Sequence, residues 1–176
     1  MQAETWRQVT ETIALEFSDL PDAAQVTRIL LRLTLAALLG GLLGIEREHK
    51  GKAAGVRTHM LVAMGSSLFV LVSQQAGMDG SDLSRVVQGL IAGIGFLGAG
   101  AILKSNDEEK VKGLTTAAGI WLTAAIGMAC GIGREATAVL STVLTLGIFN
   151  LMPYVVRRLE KPTPLIEADS SDNNKK

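Results

Sequence analysis

The residues best able to do chemistry in this chain lie in a few short stretches. Glu46, Arg47 and Glu48 are followed eleven residues after Glu46 by Arg57, Thr58 and His59. Thr115 and Thr116 stand together just after Gly113, and Lys104 and Ser105 precede them. Carboxylate, guanidinium, imidazole and hydroxyl groups brought together can hold an ion pair, move a proton or receive a charged ligand. A carboxylate at a helix C-terminus opposes the helix dipole by about a few tenths to 1 kcal/mol. Such a placement hints at a specific cationic partner, and Arg57, across a short loop, is the candidate. The alternative is that these charges are interfacial anchors flanking apolar segments. Both readings stand at this point.

What the set lacks narrows the chemistry. His49 and His59 are the two histidines, and no spacing suits a metal or a Ser-His-Asp triad. Asp107, Glu108 and Glu109 sit among lysines, and Asp79 and Asp82 sit in another gap. These read as solvated loop charges, whereas a magnesium cage wants several converging oxygen ligands. Gly93-Ile-Gly95-Phe-Leu-Gly98 matches a dinucleotide pattern, but its glycines lie inside an apolar run with no acidic residue between Glu109 and Glu135. No metal, no cofactor and no enzymatic activity are expected. No basic face suggests a nucleic acid.

The elements that must position the polar groups follow from where charge is missing. No Asp, Glu, Lys or Arg occurs in 33–45, 60–78, 86–103, 114–133 or 136–156. A soluble helix carries a charged face, and charge confined to the gaps between apolar runs is the membrane pattern. Five helical spans are expected, at about 27–45, 60–77, 86–103, 114–132 and 136–156. Arg32 lies in the opening turns of the first and must snorkel or find a partner. Asn150 and Pro153 mark a distortion in the fifth. The fold class is an all-α membrane protein of five transmembrane helices, preceded by a short amphipathic helix.

Three segments divide the chain. Residues 1–25 form the amphipathic segment, with Trp6, Val9, Ile13, Phe17 and Leu20 at helical spacing. A frayed terminus is the alternative. Residues 26–158 form the membrane domain, and 159–176 a polar, disordered cytoplasmic tail. Twelve Lys and Arg residues fall on the side that holds 46–59, 104–113 and 157–176, against five on the other. The positive-inside rule then puts the N-terminus outside and the C-terminus in the cytoplasm.

Small residues are the packing device. Gly40 and Gly44 are four apart in the first span, and Gly127 and Gly131 in the fourth. The third carries Gly89, Gly93, Gly95, Gly98 and Gly100. Close approach at such positions drives association where lipid removes the hydrophobic force. The third span is expected to sit centrally, so that Gly93→Leu or Gly98→Leu lowers folded yield. The same spacing suits a homo-oligomer. Cys130, in an apolar run, reads as a small buried residue.

The stretch LLGGLLGIEREHKGKAAGVR at 38–57, continued by THMLVAMG at 58–65, resembles the opening motif of the MgtC/SapB family. GIGFLGAGAIL at 93–103 and GLTTAAGIW at 113–121 resemble its second and third motifs. The resemblance covers about 30–150. It implies a multi-pass protein of the bacterial inner membrane, associated with magnesium-poor or acidic growth and, in pathogens, with survival in host cells. It also implies a modulator of other membrane machinery, with the F-type ATP synthase as one partner. The motif residues carried over are Glu46, Arg47, Glu48, Arg57, Thr58 and His59, then Gly93, Gly95, Gly98 and Gly100, then Thr115, Thr116 and Trp121. No chemical role comes with them. Some relatives add a soluble domain after the last span, where this sequence has only about twenty residues. The leading expectation is a non-enzymatic modulator in the lipid bilayer. The alternative is a magnesium or proton transporter or channel.

Overall fold

A computed structural model describes residues 2–18, 22–104 and 111–159. The polar tail from 160 onward, Ser105 and the acidic loop residues 107–109 lie outside the described residues. Six helices follow in chain order: α1 (Gln2–Glu16), α2 (Ala23–His49), α3 (Val56–Gln75), α4 (Gly80–Ala101), α5 (Leu114–Ile132) and α6 (Glu135–Leu159). A two-residue antiparallel ladder links α4 to α5, pairing β1 (Leu103–Lys104) with β2 (Val111–Lys112). Helices α2 to α6 are each long and apolar enough to cross a membrane, as the charge-free runs require.

Local chemistry sets the helix ends. The Asp22 carboxylate accepts from the Gln25 amide at 2.6 Å and caps α2. Asp79 accepts from Ser81 and Asp82 and caps α4, so that helix begins six residues before its apolar run. Asp79 is fully exposed, and these bonds hold its carboxyl below the usual Asp range. Gly133, in the left-handed region at φ +88°, closes α5, and its amide bonds back to Ala129 and Cys130. Helix α6 runs on through Pro153 as one element.

The bundle is built around α2, α3 and α5. Half of the most apolar stretch of α5 is buried, against 11% for α4. Glycine makes the seams possible. A Cβ at Gly127 would stand 2.1 Å from the Ala63 carbonyl oxygen, and one at Gly44 2.5 Å from Val56 Cα. Gly40 lies against the His59 carbonyl and Gly131 against the Ser67 carbonyl. Leu43, Ala63, Ile126 and Cys130 fill the core where these three helices meet.

The expectation that the third span is central is overturned. Among the described residues, Gly89, Gly93, Gly95 and Gly100 on α4 have nothing within 4 Å of a built Cβ, and Gly98 meets Ala117 at an ordinary 3.5 Å. Helix α4 lies at the rim, packed mainly against α5, and a groove of about 740 Å³ opens between it and α3. Glycine gives a helix the capacity for close approach but does not supply the neighbour. Helix α1 buries no residue.

Candidate functional site

The polar groups gather at the end of the bundle formed by the C-termini of α2 and α6 and the N-termini of α3 and α5. Two turns of α2 set the arrangement. Arg47 is 2% exposed. Its Nε donates to the Glu46 carboxylate, and its guanidinium lies 3.6 Å from the centroid of the Phe149 ring on α6. Lys50, one turn further, pairs with the same carboxylate at 2.5 Å. Two cations near the α2 C-terminus also complement its dipole, which answers the cost of placing Glu46 there.

Lys50 does a second job. Its Nζ donates to the Phe149 carbonyl at 2.6 Å and reaches Asn150 Oδ1 at 3.3 Å. Proline has no N–H, so Pro153 leaves the carbonyl four residues earlier without its helical donor. That carbonyl is Phe149. The ammonium supplies the missing donor, which lets α6 continue through Pro153 and ties it to α2.

His59 is fully buried on α3, beneath the ion pair. Its Nδ1 lies 2.7 Å from Thr123 Oγ1, and the Thr123 hydroxyl donates to the Gly119 carbonyl at 2.8 Å. One hydroxyl has one proton, and a carbonyl only accepts. His59 Nδ1 must therefore donate to Thr123. Its Nε2 has no hydrogen-bond partner among the described residues. The relay His59–Thr123–Gly119 joins α3 to α5 across the apolar interior.

The eight polar residues singled out in sequence separate into two groups. Glu46, Arg47, His59 and Thr116 turn inward, whereas Glu48, Arg57, Thr58 and Thr115 are exposed. The candidate Glu46–Arg57 ion pair is not among those of the described residues. Glu46 is taken by Arg47 and Lys50 on its own helix. Its neighbour Glu48 performs the loop-spanning role instead, accepting the Val56 amide at 2.9 Å at the start of α3. Lys50, Thr123, Phe149 and Asn150 belong to the cluster and were not assigned to it from sequence. The signal for Lys50 and Phe149 was Pro153, whose missing donor marks Phe149 as the carbonyl that needs a partner.

The opposite end holds the partner that Arg32 required. Its Nη1 donates to the Gly131 carbonyl at 2.8 Å and to Gln74 Oε1 at 3.2 Å, and its Nε lies 3.6 Å from Glu135. One guanidinium thus ties α2 to the ends of α3 and α5 and the start of α6. Among the described residues no three His, Cys, Asp or Glu side chains converge so as to hold a metal ion. Both charged clusters, as built, are interhelical ties whose groups largely satisfy one another.

The model of the MgtC family matches residues 33–158. A protein of Escherichia coli K12 named "Putative magnesium transporter YhiD" is 43% identical over 137 residues, which cover 74% of this chain and 63% of that protein. Protein SrpB of Synechococcus elongatus is 49% identical over 126 residues, covering 65% of this chain and 69% of SrpB. Protein MgtC of Brucella abortus is 43% identical over 125 residues, covering 71% and 51%. The chain therefore spans about half to two thirds of the length of these relatives. No solved structure matches it. The matched region takes in most of α2, the whole of α3 to α5, nearly all of α6 and the Glu46–Lys50 tie, and the chain belongs to the MgtC family of membrane proteins.

Proposed function

We propose that this protein is a non-enzymatic modulator of another membrane complex in the bacterial inner membrane, with its N-terminus outside and its C-terminus in the cytoplasm. The observation that carries the reading is α4. Its small-residue positions Gly89 and Gly93 line the open groove against α3, and a Cβ built at either has nothing within 4 Å among the described residues. Small residues facing lipid let another helix approach closely, either from a second copy or from a larger assembly. The F-type ATP synthase is the assembly that the family resemblance brings forward. The inward charges support the same reading, because they lock helices together and leave the α4 face as the variable surface. The orientation rests on the excess of Lys and Arg at the Glu46 end.

The test is co-purification from native membranes with Gly93→Leu as the control. The expected result is a stoichiometric membrane partner that is lost in a folded Gly93→Leu protein. Recovery of no partner under any growth condition counts against the reading.

One observation favours a second reading, an ion transporter or channel. Ionisable groups drawn into a bundle of apolar helices often mark ion pathways, and Glu46 and Arg47 turn inward at the C-terminal end of α2. The printed name of the Escherichia coli relative points the same way for that protein. Flux of magnesium or protons into proteoliposomes, saturable and abolished by Glu46→Gln, would put this reading first.

A further inference from the structure

We propose that α1 is a lipid-surface anchor that lies in the plane of the bilayer, with Trp6, Val9 and Ile13 sunk to the boundary between headgroups and acyl chains. The proposal goes beyond the modulator reading and does not depend on it. The family match begins at residue 33, so α1 stands outside the matched region. By helical periodicity Trp6, Val9, Thr10 and Ile13 fall within an arc of about 100°. All four are exposed, and α1 buries none of its residues. Phe17, just past the helix, continues the arc and is also exposed.

What covers this face follows from where α1 is tied. Residues 17–22 join it to α2, the first of the helices able to cross the membrane. That link reaches at most about 25 Å. Leu30 and Leu31, exposed on α2, lie within about 12 Å of its start along the axis. Helix α1 is thus held beside the lipid that α2 crosses, and its apolar arc continues that lipid-facing surface. It is too short to cross, because its 15 residues span only about 22 Å of a hydrocarbon core of about 30 Å. Thr10, the polar member of the arc, is satisfied by its own helix. Its hydroxyl donates to the Arg7 carbonyl at 2.9 Å and the Trp6 carbonyl at 3.1 Å, so it enters the lipid boundary without an orphan donor. Tryptophan is the residue type that seats at the headgroup level. The other side of the helix carries Glu4 and the exposed Arg7–Glu11 pair at 3.3 Å. Three glutamates against one arginine make α1 acidic, so charge complementarity selects a zwitterionic lipid surface over an anionic one.

The test uses the full chain in phosphatidylcholine nanodiscs, with Trp121→Phe leaving Trp6 as the one tryptophan. Trp6 emission is quenched from the lipid by phosphatidylcholine brominated high on its acyl chains, and from water by iodide. The expected result is strong quenching by the brominated lipid and weak quenching by iodide. Val9→Glu with Ile13→Glu should cut the lipid quenching about threefold or more and open Trp6 to iodide. Leu15→Glu makes the same kind of change on the polar side and should leave both unaltered. All three positions are exposed, so the melting midpoint should not move. Replacing half of the lipid with phosphatidylglycerol should weaken the lipid quenching at low salt, and a rise instead overturns the choice of a zwitterionic surface. Free access of iodide without lipid quenching overturns the proposal. Shielding of Trp6 from both quenchers, deepening as more chains are loaded per disc, also overturns it and gives the face to a second copy.

Discussion

Gly127→Ala adds one methyl group at the seam between α3 and α5. The new Cβ would stand 2.1 Å from the Ala63 carbonyl oxygen, where an ordinary carbon–oxygen contact begins at about 3.3 Å. The obstacle is backbone, so no rotamer change relieves it. The helices must separate by about an ångström, which also loosens the seam at Gly131, where Ser67 O stands 2.6 Å from a built Cβ. Overpacking of this kind costs about 1–3 kcal/mol. For a chain of this size each kcal/mol corresponds to roughly 2–4 °C in the melting midpoint. Gly127→Ala is therefore expected to lower the midpoint by about 2–12 °C. Gly93→Ala makes the opposite prediction. Nothing lies within 4 Å of its built Cβ, and replacing a helical Gly by Ala gains up to about 1 kcal/mol of propensity. It should be neutral or slightly stabilising in the isolated chain. The assay is thermal unfolding in one mild detergent, followed by size-exclusion and tryptophan emission. Equal midpoints for the two variants, or a larger loss for Gly93→Ala, would refute the assignment of α5 to the centre and α4 to the rim.

Three further outcomes follow from the charged ties and caps. Lys50→Met should destabilise by about 1–3 kcal/mol, and less so in a Pro153→Ala background, where a new backbone amide can serve the Phe149 carbonyl; a double-mutant cycle by thermal unfolding should give about 1 kcal/mol of coupling. The ¹⁵N spectrum of His59 should show a protonated Nδ1, and the Thr123→Val variant should lose the hydrogen-bond signature of that proton. The Asp79 carboxyl titrates lower in the folded state than in the unfolded one, so its capping contribution is fully present above the ordinary Asp range and fades as pH falls through the folded value. Amide exchange at Ser81 and Asp82 should accelerate in that acidic window, and a rate indifferent to pH after correction for intrinsic exchange would contradict the cap.

Much of the frame was legible because the membrane leaves few choices. Charge-free runs gave five helices, and the need to satisfy Arg32 anticipated a partner, although only the fold identifies Gly131, Gln74 and Glu135. The place of α4 was not legible. Glycine at every fourth position records that two backbones can meet, and the same pattern serves a neighbour in this chain or in another. Whether Glu46 pairs with Arg57 was not legible for a related reason. Adjacent helical positions diverge around the axis, so Arg47 was not an obvious partner for Glu46. Two long side chains nevertheless converge once Phe149 closes over the guanidinium. Lys50 looked like loop charge because its partner carbonyl is created by a proline about a hundred residues away. Thr116 and Thr115 are neighbours in sequence, yet only Thr116 turns inward.

The central claim is that α4 presents its face to another protein. A photoreactive phenylalanine analogue at Phe96, 81% exposed on α4, tests it in native membranes, with the same group at Leu140 on α6 as the lipid-facing control. The account predicts a discrete protein adduct from position 96 that disappears with Gly93→Leu, and only lipid adducts from position 140. Lipid adducts alone from both positions, in a folded and correctly inserted protein, would contradict it.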